Sequence, residues 1–193
     1  ATLAVVGAHG VMVSIMAMTP IHLLHHGATL TVVGLTISLH IAGMYALSPV
    51  FGMLADRWGR VATILLGYAI LAGCVTVIAV AHEDPRAVTV ALVLLGLGWS
   101  AATVAGSALL TEASAADVRT RRQGRNDFAM SLVGALGATG AGIVLSGIGF
   151  NGLALATVPV LLLAVALSPL GRREGTAVQR PPGNPPADPG VLG

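Results

Sequence analysis

Long apolar runs, separated by short polar or charged segments, form the main pattern of this chain. An α-helix rises about 1.5 Å per residue, so about 20 apolar residues cover the hydrocarbon core of a bilayer. The runs therefore predict six membrane-spanning helices, near residues 3–24, 30–54, 61–81, 87–110, 128–148 and 151–170. The stretch 111–127 is predicted to be the longest polar connector, and Gly149 with Phe150 the shortest corner.

The composition agrees with a membrane protein. Hydrophobic residues make up 55% of the chain and charged residues 9%, with a mean hydropathy of +0.86, whereas soluble domains are about 25% charged. The chain is expected to be an all-α membrane protein with the lipid bilayer as its surroundings. The basic residues are all arginines in connectors, which argues against nucleic acid as a partner. The single cysteine, Cys74, cannot form an internal disulfide, and nothing implies a cofactor.

Arginine is distributed unevenly over the two sets of alternating connectors. One set contains Arg86 alone, and the other contains nine arginines. These nine are Arg57, Arg60, Arg119, Arg121, Arg122, Arg125, Arg172, Arg173 and Arg180. The positive-inside rule then predicts a multi-pass protein with both termini in the cytoplasm. The absence of lysine is typical of a GC-rich bacterial genome, so the expected location is the bacterial cytoplasmic membrane. The start of the chain lacks the charged region of a cleavable signal peptide.

A short charged segment joins the second and third predicted spans and reads Gly-Met-Leu-Ala-Asp-Arg-Trp-Gly-Arg over residues 52–60. It resembles the signature loop of the major facilitator superfamily of secondary transporters. The matching positions are Gly52, Leu54, Asp56, Arg57, Gly59 and Arg60, whereas Val61 stands where many members have a second basic residue. The two glycines are expected to let the backbone turn and the helices approach closely.

The end of the fourth span carries a second resemblance to the same family. Glu112 is followed seven residues later by Arg119, as at the cytoplasmic end of the equivalent helix in many members. The resemblance implies that Glu112 pairs with Arg57 or Arg60, in a network that controls the conformational switch. Asp56 is expected to cap a helix end within this half or to face water.

The family fold consists of two six-helix halves around a cavity, and this chain has residues enough for one half. The resemblance favours the C-terminal half, with an N-terminal half or a second copy of the chain as partner. The predicted domains are a six-helix transmembrane unit over residues 1–170 and a disordered, Pro- and Gly-rich cytoplasmic tail over residues 171–193.

Polar side chains at membrane depth are candidates for the path of substrate and protons, because burying them is costly without a role. His40, near the centre of the second span, is the first candidate, since an imidazole can carry a proton at physiological pH. It is expected to face the cavity between halves. The other candidates are His9, Thr19, Tyr45, Trp99, Ser100 and Thr103.

Three functions remain open on the sequence. The first is a secondary, proton-coupled carrier that exports small, moderately hydrophobic molecules by alternating access. The second is a metal-ion carrier or channel that uses His22, His25 and His26, whose spacing brings imidazoles to one helix face. The third is an intramembrane serine protease with Ser100 as nucleophile and His40 as base, the one reading in which the chain would be an enzyme.

Overall fold

Helices follow the apolar runs closely in the computed structural model, which describes residues 1–167. The described part is built from seven helices: α1 (Thr2–His25), α2 (Leu30–Tyr45), α3 (Ser48–Trp58), α4 (Arg60–Ala81), α5 (Pro85–Glu112), α6 (Arg119–Ala156) and α7 (Val158–Ala166). Five stretches within it are long and apolar enough to cross a membrane. The all-α membrane fold predicted from the sequence is therefore confirmed.

Proline accounts for the break between α2 and α3 inside the second span. Pro49 stands in the first turn of α3, where its missing N–H is not needed. The Ser48 hydroxyl donates to the Tyr45 carbonyl at 2.7 Å, which satisfies one carbonyl at the end of α2. The two helices together form one membrane-length stretch, Leu30–Trp58. That stretch ends four residues later than the predicted 54, because the first part of the charged segment is helical.

The last membrane-length stretch, Arg119–Ala166, contains 48 residues, about twice the length that one crossing needs. Gly149 divides it with a φ of 73° that helical residues do not adopt. The side chain of Val133, before this break, lies beside Gly10 of α1, and that of Ala164, after it, lies beside Gly7. The chain thus reverses at Gly149, and the stretch supplies two passes, which agrees with six predicted spans and the predicted corner.

The predicted connector over residues 111–127 is mostly helical. Only residues 113–118 lie outside α5 and α6. A side-chain pair at helical spacing supports the polar first turns of α6, since Gln123 donates to Asp127 at 3.0 Å. Arg122 also donates to the Ala113 carbonyl, at the end of α5, at 3.1 Å. Polarity alone therefore placed the start of this helix about two turns too late.

Helix α5 is the central element and packs against α1, α2, α3 and α4. Its contacts with α2 and α4 are close because glycines face each other at the crossings. A Cβ added to Gly96 would collide with the His40 carbonyl of α2, and one added to Gly67 of α4 would meet the Gly98 carbonyl of α5 at 2.7 Å. Such backbone approach is how membrane helices associate where no hydrophobic effect drives them together.

Helix α1 has two occupied faces. Gly7 faces Tyr68 of α4 and the α7 side chains of Val160 and Ala164, whereas His9, about 200° round the helix, faces Gly134 of α6. The bundle also has two chemically distinct ends. We call the end with Arg57, Arg60, Glu112 and Arg119 the arginine end, and the end with His22, His25, His26 and His82 the histidine end. The predicted tail, with Arg172, Arg173 and Arg180, lies outside the described residues.

Candidate functional site

Arg60 joins three helices at the arginine end. Its Nε and Nη2 atoms donate to the same Glu112 oxygen, Oε1, at 3.0 and 2.7 Å, and its Nη1 atom lies 2.5 Å from Asp56 Oδ1. Asp56 belongs to α3, Arg60 begins α4, and Glu112 ends α5. The expected contact between the charged segment and Glu112 is therefore present. These charge-assisted bonds fix the relative positions of the three helix ends.

The other residues of the charged segment divide into turn, helix and surface. Gly59 makes the turn with a φ of 95°, a value that favours glycine. Gly52 does not take part, contrary to the expectation, because it lies inside α3 with nothing within 4 Å of an added Cβ. Leu54 is half-buried, and Arg57 is exposed without an ion pair to any residue from 1 to 167.

Asp56 agrees with the second of its two expected alternatives, since its side chain is 67% exposed and faces water. It does not cap a helix, and it pairs with Arg60 one turn later. Arg119 does not join the ion pairs in the described structure. It lines a cleft of about 800 Å³ between the ends of α5 and α6, together with Glu112, Gln123 and Asp127. The cleft therefore has both signs of charge around its rim.

Three candidate residues from three helices meet on the face of α1 opposite α4 and α7. The indole Nε1 of Trp99 in α5 donates to Nδ1 of His9 in α1 at 3.2 Å. Tyr45 of α2 meets the Trp99 ring edge to face, with ring centroids 6.2 Å apart and planes at 73°. His9 and Trp99 are half-buried, and Tyr45 is 60% exposed. We call His9, Trp99 and Tyr45 the aromatic cluster.

The candidate hydroxyl groups behave differently from one another. Thr19 is buried and donates to the Ile15 carbonyl of its own helix at 2.8 Å, so its hydrogen-bonding capacity is used locally. Thr103 lies one turn after Trp99 on the same face of α5, and its buried Oγ1 has no hydrogen-bond partner among the described residues. Ser100 Oγ is also buried and without a partner there.

His40 does not face a cavity. It is fully buried between α2 and α5, and its Nδ1 atom donates to the Leu92 carbonyl at 2.8 Å. Its Nε2 atom is buried with no partner in residues 1–167. The expectation of a cavity-facing imidazole was wrong because the close approach of α2 to Gly96 encloses this side chain. His40 and Ser100 share no hydrogen bond, so the geometry of a protease pair is not present.

The histidine end contains one more histidine than the spacing of α1 predicted. His22 and His26 lie with ring centroids 4.2 Å apart, and His82, from the end of α4, lies 5.9 Å from His22. His22 Nε2 bonds the His82 carbonyl at 2.6 Å, and His26 Nδ1 bonds the His22 carbonyl at 2.9 Å. Bonding a carbonyl requires these nitrogens to carry hydrogen, which prevents them from ligating a metal. No three His, Cys, Asp or Glu in residues 1–167 are arranged to hold a metal ion. His25 lines the same pocket as His22, His26 and His82.

The sequence identified each member of the aromatic cluster as a candidate but did not predict that they contact one another. These contacts depend on how the helices cross. His82 was missed for the same reason, since this residue lies 60 positions from its partner, His22. A usable signal for His82 was present. The connectors after α1 and α4 lie on the same side of a six-span bundle, so their histidines share one end.

Comparison with known proteins adds an independent finding. The sequence matches the protein-family model described as Major Facilitator Superfamily over residues 1–190. It is 38% identical over 160 residues to the uncharacterized MFS-type transporter YddS of Bacillus subtilis (strain 168), covering 81% of this chain and 37% of that protein. It is 38% identical over 165 residues to the uncharacterized MFS-type transporter YdeG of the same organism, covering 84% and 38%.

A third relative, the riboflavin transporter RfnT of Brucella anthropi, is 29% identical over 157 residues, covering 81% of this chain and 39% of that protein. The chain thus spans less than two fifths of the length of these curated relatives. All three relatives are named as transporters, and none is named as an enzyme.

Proposed function

Because the chain belongs to the major facilitator superfamily, a family of transporters and not enzymes, we propose that it forms one six-helix half of a secondary carrier that works by alternating access. The carrier is completed by an N-terminal six-helix half or by a second copy of this chain. In this proposal the chain is the C-terminal half of the carrier. Its length relative to the curated relatives is consistent with a half.

The observation that carries this proposal is the bridge from Asp56 through Arg60 to Glu112. Alternating access requires helix ends that hold together in one conformation and rearrange in the other. A bridge at the surface of the bundle suits this role, because exposed ion pairs are individually weak and can be exchanged. A buried pair would resist such exchange, since leaving one charge unpaired in the interior is strongly unfavourable.

Proton coupling belongs to the same proposal, and the geometry favours His9 over His40 as its site. His9 is half-buried on the face of α1 that carries the aromatic cluster, and its Nδ1 atom accepts from Trp99. A proton on Nδ1 would replace that bond, so protonation and the position of Trp99 are linked. His40, in contrast, is enclosed between two helices and already donates to Leu92.

The positions of the charged residues indicate the kind of cargo. The charged residues of the described part lie near the helix ends, so a small, neutral and moderately hydrophobic cargo meets no unmatched charge in the middle of the bundle. Export is the proposed direction, from a cytoplasm that faces the arginine end. The relative named as a riboflavin transporter places flavins among the cargoes to test.

Flux through the assembled carrier tests the proposal. The chain is purified with any six-helix unit that accompanies it, its assembly is determined by native mass spectrometry, and it is placed in liposomes with an imposed pH gradient. We expect flux of a neutral dye that depends on the gradient and falls several-fold in Arg60→Gln. Flux of Zn²⁺ but not dye would favour a metal carrier instead. Dye flux that is unchanged in Arg60→Gln would contradict the proposed role of the bridge.

A further inference from the structure

We propose that Trp99, Tyr45 and Thr103 form a binding subsite for a flat, uncharged heteroaromatic molecule, with His9 holding Trp99 in place. This inference rests on the proposed carrier function and specifies its cargo. Trp99 of α5 contacts His9 of α1 and Tyr45 of α2, and Thr103 lies one helical turn after Trp99.

The rings are concentrated at one level although aromatic residues are rare. Phe, Trp and Tyr make up only 4% of the chain, yet Trp99 and Tyr45 meet edge to face with ring centroids 6.2 Å apart. The Tyr45 ring is 60% exposed, so one aromatic face is available to a ligand. Aromatic rings prefer offset or edge-to-face partners, and two rings at 73° present a corner that a third flat ring can enter.

His9 fixes the indole in this position. The Trp99 Nε1 atom has its acceptor in His9 Nδ1 at 3.2 Å, so the indole N–H needs no partner from the ligand and the ring does not rotate freely. The Nε2 side of His9 is packed against the Gly134 backbone, where an added Cβ would lie 3.0 Å away. A ring held by its edge in this way is a prepared surface for stacking.

Thr103 supplies the polar recognition. Its Oγ1 atom is buried and has no partner in the described chain, whereas most other Ser and Thr hydroxyls of the described spans bond a carbonyl three or four residues earlier. Buried polar atoms nearly always have a partner, and Oγ1 has almost no accessible surface in the described structure. A ligand therefore reaches this hydroxyl when the Thr103 side chain rotates toward the indole. Because Thr103 lies one helical turn from Trp99, a ring stacked on the indole would bring a ring nitrogen or carbonyl to this hydroxyl.

The absence of charge selects a neutral ligand. In the described spans no carboxylate or guanidinium lies at the level of Trp99; the nearest charged residues of α5, Arg86 and Glu112, are both 13 positions away. At about 1.5 Å per residue this separation is about 20 Å. A charged cargo would therefore lose its hydration without a counter-charge, which is costly in this environment.

Binding is measured without transport, so that the two proposals can fail separately. The chain contains two tryptophans, and Trp58 lies at the surface of the arginine end with 66% exposure. In Trp58→Phe protein, Trp99 is the sole fluorescent indole. Lumichrome, a neutral three-ring heteroaromatic, should quench it in a saturable way, whereas adamantanol and tetraphenylphosphonium should not.

Variants distinguish the parts of the subsite by calorimetry. Trp99→Leu should weaken lumichrome binding about tenfold through lost stacking. Thr103→Val, which keeps the shape, should weaken lumichrome about fivefold but leave anthracene, a flat hydrocarbon without hydrogen-bonding groups, unchanged. Tyr68→Phe is the control on the opposite face of α1, where the hydroxyl bonds the Ala4 carbonyl, and should leave binding unchanged.

Unchanged lumichrome affinity in both Trp99→Leu and Thr103→Val would overturn the subsite. Dye flux without lumichrome binding would overturn it too while leaving the carrier intact. Lumichrome binding in a chain that never assembles or transports would contradict the carrier and not the subsite. A loss of lumichrome and anthracene binding alike in Thr103→Val would show that the hydroxyl matters for packing and not for recognition.

Discussion

Arg60 and Glu112, 52 residues apart in the chain, meet through two hydrogen bonds to one carboxylate oxygen. The contact ties the start of α4 to the end of α5, and Asp56 extends it to α3. Glu112 is also part of the rim of the cleft between α5 and α6. A change in this one contact therefore affects four helix ends at once.

The first prediction follows from that contact. Arg60→Gln and Glu112→Gln should each reduce carrier flux several-fold, and the double variant should be no worse than the more severe single variant, since each change removes the same interaction. The measurement is a double-mutant cycle on the initial rate of dye flux. Arg57→Gln is the matched control, because Arg57 belongs to the same segment without an ion pair in the described residues. Additive losses would show that Arg60 and Glu112 act independently.

The second prediction separates the two histidines. His9→Gln should flatten the dependence of flux on pH between about pH 5 and 8, the range in which histidine ordinarily titrates. His40→Gln should lower the amount of folded protein and leave the shape of the pH profile unchanged, because His40 packs between α2 and α5. The experiment compares normalised pH profiles of both variants at equal protein. A flattened profile in His40→Gln alone would return the proton role to His40.

The third prediction concerns the crossing of α4 and α5. In Gly67→Ala the new Cβ would lie 2.7 Å from both the Ala102 nitrogen and the Gly98 carbonyl oxygen, which are backbone atoms and cannot turn aside. Overpacking of this kind costs about 1–3 kcal/mol, so the melting temperature in detergent should fall. Gly73→Ala, in the same helix with nothing within 4 Å of its Cβ, should be neutral or slightly stabilising. Equal melting temperatures would mean that the helices separate easily.

The apolar runs and the glycines of two turns were sufficient to predict most of the fold, whereas the break between α2 and α3 was not predicted. Pro49 and Gly149 break helices where their backbone chemistry requires, and Gly59 makes the turn of the charged segment. The prediction that Gly52 takes part in the turn was wrong, because the sequence alone does not distinguish a glycine inside a helix from a glycine in a turn. The polar start of α6 was misjudged because charged residues at helical spacing form a helix as readily as a connector.

The candidate site was predictable only in part, because its contacts depend on helix crossings. The bond between Arg60 and Glu112 could be expected, since Arg60 begins α4 and Glu112 ends α5 on the same side of the bundle. The contact between His9 and Trp99 could not be predicted, because it depends on how α1 is rotated about its axis relative to α5. The local sequence pattern of either helix does not determine that rotation. His40 was given too much weight for a related reason: depth in a span says nothing about which face of the helix is covered.

The last prediction tests the orientation proposed from the arginines. Cysteine introduced by Glu83→Cys or Asp84→Cys, between α4 and α5, should react with an impermeant maleimide from outside intact cells, and cysteine from Thr120→Cys should react only after the membrane is opened. All three positions are exposed. Asp84 accepts a hydrogen bond from the Arg86 N–H as the cap of α5, so its replacement costs about 1 kcal/mol, whereas Glu83 avoids that loss. The natural Cys74 is fully buried and should give no background. Labelling of Thr120→Cys but not Glu83→Cys in intact cells would place the arginine end outside. The distribution of nine arginines against one would then not determine the orientation of this chain.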